Sequence, residues 1–172
     1  MSIQSQQQNM KTIHSLISQD LGYIYGEQRP KDIGARNASG ARFRKAKIMS
    51  ESGPNGAKKQ FLSKSAVFLR ALGNDLGFTD FKVKSNPGGI AVSGDITLMG
   101  LWSDGNGLYL QINQPLQPFN GFLYRTIKSM KDYSGGANQW LSCSLFAGGE
   151  YETLMSTLMT LCKSAEVLRY AA

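Results

Sequence analysis

The chain has 172 residues, of which 41% are hydrophobic and 18% charged, and its formal net charge is +7. That length suits one domain burying about two thirds of its unfolded surface, so neither disulfides nor a metal is needed to hold a core. Two cysteines, Cys143 and Cys162, and one histidine, His14, cannot complete a four-ligand zinc site, and no segment reaches the roughly 18 apolar residues that cross a bilayer.

The first residues, Met1 to Asn9, are rich in Gln and Ser and lack the basic and apolar regions of a secretory signal. A cytoplasmic, intracellular protein with reduced thiols is the expectation. From Asn9 to about Tyr25 the spacing of Ile13, Leu16, Ile17 and Leu21 predicts a helix, with Asn9 as its N-cap and Gly26 as its stop. His14 lies beside that stripe and reads as a core-edge side chain.

From 27 to 57 the apolar periodicity vanishes, and Gly34, Gly40, Gly53, Pro54 and Gly56 punctuate the stretch. It reads as a long basic arm or loop. Between Arg29 and Lys59 stand nine basic residues against Asp32 and Glu51 alone, a net of +7, while the rest of the chain balances to zero. One stretch therefore carries the whole net charge, which points to a polyanionic partner.

From Lys58 to about Leu76, Phe61, Leu62, Ser65, Ala66, Leu69, Leu72 and Leu76 follow the helical period, and Gly77 is placed to end the helix. The period then changes to two. Strands are predicted at Phe81–Lys84, at Ile90–Val92 with Asp95–Trp102, at Leu108–Ile112, at Gly121–Ile127 and at Asn138–Leu145. Asp104-Gly105-Asn106-Gly107 is a hairpin signal, and Pro115 and Pro118 end the strand after it. A helix from Glu150 to about Arg169, with Leu154, Leu158, Leu161, Ala165 and Leu168 as its stripe, closes the chain. The fold class is α+β: an antiparallel meander of four or five strands covered by two or three helices. Residues 1–172 form one domain, with the arm at 27–57 and a helix-sheet-helix core at 58–172.

Two basic segments carry the chemistry. In the arm, Arg36, Arg42, Arg44, Lys45 and Lys47 suit phosphate neutralisation, and Phe43 suits stacking on a base. In the second, Arg125, Lys128 and Lys131 leave a strand end at spacings of three, ahead of Tyr133 and the Gly135-Gly136 turn. A glycine-rich loop after a strand exposes backbone N–H groups to a phosphate. Asn138, Gln139 and Trp140 follow with amides and a stacking face. Aromatics on strands serve the core more often than they stack on bases, and Tyr109 and Tyr124, beside polar residues on adjacent strands, are the expected exceptions.

A third pattern is narrower. Asp95 opens a strand, a hairpin follows, and Gln111 and Asn113 lie on the next strand. Over about twenty residues this layout resembles the PD-(D/E)xK arrangement of metal-dependent nucleases, in which two carboxylates hold Mg²⁺ and a lysine helps to activate water. Asp95 matches the aspartate, but Gln111 replaces the glutamate and Asn113 the lysine. The resemblance therefore implies a degenerate binding fold before it implies an active nuclease. No P-loop or dinucleotide fingerprint is present, and no cofactor is implied. The expected function is nucleic-acid binding, to DNA or RNA, through the phosphate backbone. The alternative partner is an acidic protein surface, with the chain a subunit or inhibitor within a nucleoprotein assembly. A phage, a mobile element or a host complex would each suit such a protein.

Overall fold

A computed structural model describes residues 1–25, 57–86, 94–113, 121–133 and 136–162. Its elements in chain order are α1 (Ile3–Tyr25), α2 (Ala57–Asp75), β1 (Asp80–Asn86), β2 (Asp95–Leu101), β3 (Gly107–Asn113), β4 (Gly121–Ile127), β5 (Gln139–Ser142), α3 (Cys143–Gly148) and α4 (Tyr151–Met159). The strands form one five-stranded antiparallel sheet in the order β1-β2-β3-β4-β5. The α+β meander expected from the alternating period is thus observed, with four helices among the described residues where two or three were expected.

α1 starts six residues before the expected cap. Ser2, not Asn9, closes its first turn, accepting the Ser5 N–H on Oγ at 3.3 Å. Glutamine is a good helix former, so the Gln-rich start continues the helix. Gln6 and Met10 are fully buried and extend the stripe of Ile13, Leu16 and Ile17. The Asn9 side chain donates to Gln6 Oε1 at 3.2 Å instead of capping. Gly26, the expected stop, lies outside the described residues, as does the arm from 27 to 56.

α2 matches its expected span within a residue and packs on β1, β2 and α1. Phe61, Phe68, Leu69 and Leu72 point inward with no exposed surface. The Leu76 carbonyl accepts the Trp102 indole N–H at 2.7 Å, which ties the end of the helix to the end of β2. The β2–β3 hairpin closes as its sequence signals: Gly105 has φ +79, and Asp104 Oδ1 accepts the Asn106 N–H at 2.9 Å.

The predicted strand at 138–145 stops at Ser142. There Ser142 Oγ accepts the Ser144 N–H at 3.2 Å, taking a backbone donor out of the ladder and starting α3. α3 turns Phe146 into the core against Phe122, with ring centroids 4.5 Å apart, and against Phe68 at 5.6 Å. α4 carries Leu154 and Leu158 as expected but ends at Met159. The expected continuation through Ala165, Leu168 and Arg169, and the strand at Ile90–Val92, lie outside the described residues.

The described helices pack on one face of the sheet. Ile96, Leu98, Leu108, Leu110, Ile112, Phe122 and Leu141 meet Met10, Ile13, Phe61, Phe68, Leu72 and Leu154 in one cluster. α1 belongs to that cluster, so the core begins well before Lys58. A polar link joins three helices: Tyr151 Oη donates to Asp75 Oδ2 at 2.6 Å and accepts from the buried Gln6 Nε2 at 3.3 Å. No described helix is long and apolar enough to cross a membrane.

Candidate nucleic-acid interface

Side chains alternate across a strand, so the register of the sheet assigns its second face. Lys82 is paired with Met99, Met99 with Tyr109, and Tyr109 with Arg125. The next row runs Lys84, Thr97, Gln111, Leu123, Trp140. Beyond it, Asn86 stands opposite Asp95, and Asp95 opposite Asn113. None of these side chains belongs to the helix-backed cluster. One sheet therefore has an apolar face and a polar, aromatic-bearing face.

A chain of hydrogen bonds runs along β3 on the polar face. Tyr109 Oη donates to Gln111 Oε1 at 2.8 Å, and Gln111 Nε2 donates to Asn113 Oδ1 at 2.7 Å. Residues two apart on a strand share a face, which is why an alternating Tyr-x-Gln-x-Asn run forms such a ladder. Burial pushes the Tyr109 hydroxyl above its ordinary pKa, the Asp95 charge adds to that, and Arg125 opposes it. Burial likewise raises Asp95, against the lowering effect of the Asn86 hydrogen bond and of Lys84. Asn86 Nδ2 donates to Asp95 Oδ2 at 3.2 Å.

The segment after β4 folds back over one edge of this face. Arg125 is only 3% exposed. Its guanidinium lies 4.7 Å from the Tyr109 ring centroid, 3.6 Å from the Asp132 carboxylate and 3.1 Å from the Asp132 carbonyl. Lys82 Nζ reaches across the sheet to the Met130 carbonyl at 2.8 Å and to Tyr133 Oη at 3.3 Å. Met99, beside Lys82 and Tyr109, is buried outside the helix-backed core. Gly136 has φ +81, and a Cβ there would press on the Thr126 carbonyl at 2.6 Å. Close packing of the returning chain is thus one reason for glycine at that position.

The predicted site residues separate accordingly. Arg36, Arg42, Phe43, Arg44, Lys45 and Lys47 lie outside the described residues. Tyr109 and Arg125 stand side by side on the polar face, Tyr133 packs over Lys82 on it, and Lys128 and Lys131 lie in the segment after β4. Arg125 is committed to the fold-back, and Lys128 Nζ donates to Asn106 Oδ1 at 2.6 Å. Lys131 and Tyr133 are exposed. Tyr124 departs from the expected position beside Tyr109. It is 7% exposed and belongs to the helix-backed core, because it is an odd number of residues from Arg125 in the pleat. Lys82 and Lys84, not among the residues expected at the site, stand on the same face. The alternation Phe81-Lys82-Val83-Lys84 signals them, since Phe81 and Val83 take the core face.

Asp95, Gln111 and Asn113, the residues of the nuclease-like layout, share the polar face. Asp95 does face Asn113 across the ladder. The donors are one carboxylate and two neutral amides already bonded to each other, whereas Mg²⁺ binds through carboxylates, phosphates and water in octahedral geometry. Among the described residues no three His, Cys, Asp or Glu side chains group to hold a metal. The residues do not fit that ion.

Fold and face together define a helix-backed antiparallel meander with one polar, aromatic-bearing face. Against models of known protein families, curated proteins and solved structures, the chain has no match.

Proposed function

We propose that this chain is a nucleic-acid-binding protein. The observation that carries the reading is the segregation of charge: the segment from Arg29 to Lys59 holds the entire net charge of +7. Arg36, Arg42, Arg44, Lys45 and Lys47 neutralise phosphates and release counterions, Phe43 stacks on a base, and affinity falls with salt. The exposed Lys84 and Lys131 add cations around the polar face of the sheet, with Tyr133 and Tyr109 among them. An intracellular setting agrees with this reading, since Cys143 and Cys162 are both thiols.

Fluorescence anisotropy with labelled single- and double-stranded DNA and RNA, at several salt concentrations, tests it. Binding should weaken linearly in log salt. Neutralising Arg42, Arg44, Lys45 and Lys47 together should flatten that slope by about three to four. A quadruple variant that binds as tightly as wild type overturns the role of the arm. No binding at low salt redirects the basic segment to an acidic protein surface.

A further inference from the structure

At the tip of the β2–β3 hairpin three side chains form one chain of contacts. Asp104 Oδ2 accepts from Asn106 Nδ2 at 2.8 Å, and Asn106 Oδ1 accepts from Lys128 Nζ at 2.6 Å. Asn106 is only 8% exposed, and its backbone is pinned as well as its side chain. The Asn106 N–H donates to Asp104 Oδ1 at 2.9 Å, and its carbonyl accepts the Trp102 N–H at 2.8 Å. Lys128 follows Ile127, the residue of β4 that pairs with Gly107. The contact therefore closes the sheet where the β3–β4 ladder stops.

An amine, an amide and a carboxylate in this order are the groups that a lysine–asparagine cross-link needs. The amine is a nucleophile once it has shed a proton. The Asn106 side-chain carbon is the electrophile, polarised by the N–H that Lys128 donates to its oxygen. A C=O bond is about 1.2 Å long, so that carbon lies no more than about 3.8 Å from Nζ. Held groups react from roughly 3 to 3.5 Å, a short step from there. The Asp104 carboxylate touches Nδ2, the nitrogen that has to leave, and is placed to give it a proton. Lys128 and Asp104 are both exposed, so water reaches the amine and ammonia has a way out. Asn106, the group under attack, is the buried and immobilised member.

We propose that Lys128 and Asn106 form an intramolecular isopeptide bond, with Asp104 as its acid–base group. The Lys128 ammonium loses one proton to water. Its lone pair attacks Asn106 Cγ, and the Nζ–Cγ bond forms. Asp104 passes a proton from the attacking nitrogen to Nδ2, the Cγ–Nδ2 bond breaks, and ammonia leaves. One amide replaces another, nothing is oxidised or reduced, and Asp104 ends as the carboxylate it began as. The bond ties the hairpin tip to the end of β4 and constrains the unfolded chain as a disulfide does. It goes beyond the nucleic-acid reading and does not depend on it.

Intact-mass spectrometry of the full chain tests it, on fresh protein and after prolonged incubation at neutral pH. The wild type should be lighter than its sequence by one ammonia. A tryptic digest should hold a branched peptide in which Ser85–Arg125 is joined through Lys128 to Thr126–Lys131. Lys128→Arg keeps the charge and a donor for Asn106 but cannot form the bond. It should show its full mass and a lower urea midpoint than wild type. Asp104→Asn keeps an oxygen for the turn and should slow the mass loss about a hundredfold. A wild-type mass that matches the sequence after incubation overturns the proposal and leaves the contact a hydrogen bond. Loss of ammonia that persists in Lys128→Arg also overturns it, because attack of the Gly107 N–H on Asn106 gives a succinimide of the same mass. An unchanged rate in Asp104→Asn overturns the role of Asp104.

Discussion

The two faces of this sheet are made by the same five strands and obey different physics. On one, Leu98, Leu108, Leu110 and Ile112 are fully buried under helices and contribute by removal from water. On the other, Tyr109, Gln111 and Asn113 form a run of hydrogen bonds, and Arg125 packs on the Tyr109 ring. Each strand alternates between a residue buried under the helices and a residue of the polar face. Apolar burial and polar contacts are thereby interleaved along the chain and separated in space.

The largest expected effect lies on the helix-backed face. Leu110→Ala should cost about 3 kcal/mol, from lost burial and a cavity, read as a lower urea midpoint. If Gln111→Ala costs as much, the division between the faces is wrong; it should stay within about 0.5 kcal/mol of wild type.

Arg125 is the exception that sharpens the comparison, because it lies on the polar face and is buried. Arg125→Ala leaves Asp132 and its carbonyl without their guanidinium and should destabilise by about 2 kcal/mol. Arg125→Lys should not recover that loss, since an ammonium cannot stack on Tyr109 and bridge two oxygens at once. Full recovery in chemical denaturation would show that charge alone holds the fold-back. Tyr151→Phe, within the helical layer, should cost about 1 to 2 kcal/mol by removing the oxygen shared by Gln6 and Asp75.

The smallest effect depends on pH. Burial raises the folded-state pKa of Asp95 above its ordinary value of 3.8. The folded protein therefore binds this proton more readily than the unfolded chain, and ionised Asp95 is a cost at neutral pH. That cost is relieved as pH falls through the raised pKa toward the ordinary one. Asp95→Asn should be slightly more stable than wild type at neutral pH, and the gap should close on acidification. Melting temperatures of both proteins across that range decide it, and a gap that widens at low pH contradicts the assignment.

Much of this was legible in the residues. Alternation placed the strands, Asp104-Gly105 placed the hairpin, and the spacing of Phe61, Leu69 and Leu72 placed α2, because those signals are local and period-specific. Two boundaries were not legible. Ser142 reads as a strand residue until its side chain takes a backbone N–H, and the helix reads as starting at Asn9 until Gln6 and Met10 find a core to enter. In each case long-range packing chose between local conformations of similar energy.

The site divides in the same way. Composition by itself determined that one basic stretch holds all the net charge, since charge is additive along the sequence. Only the tertiary structure decided that Tyr124 enters the core while Tyr109 does not, that Arg125 is spent on Asp132, and that Trp140 shares a row with Gln111. Those outcomes depend on strand register and on which face the helices cover, and both are settled by contacts between residues far apart in the chain.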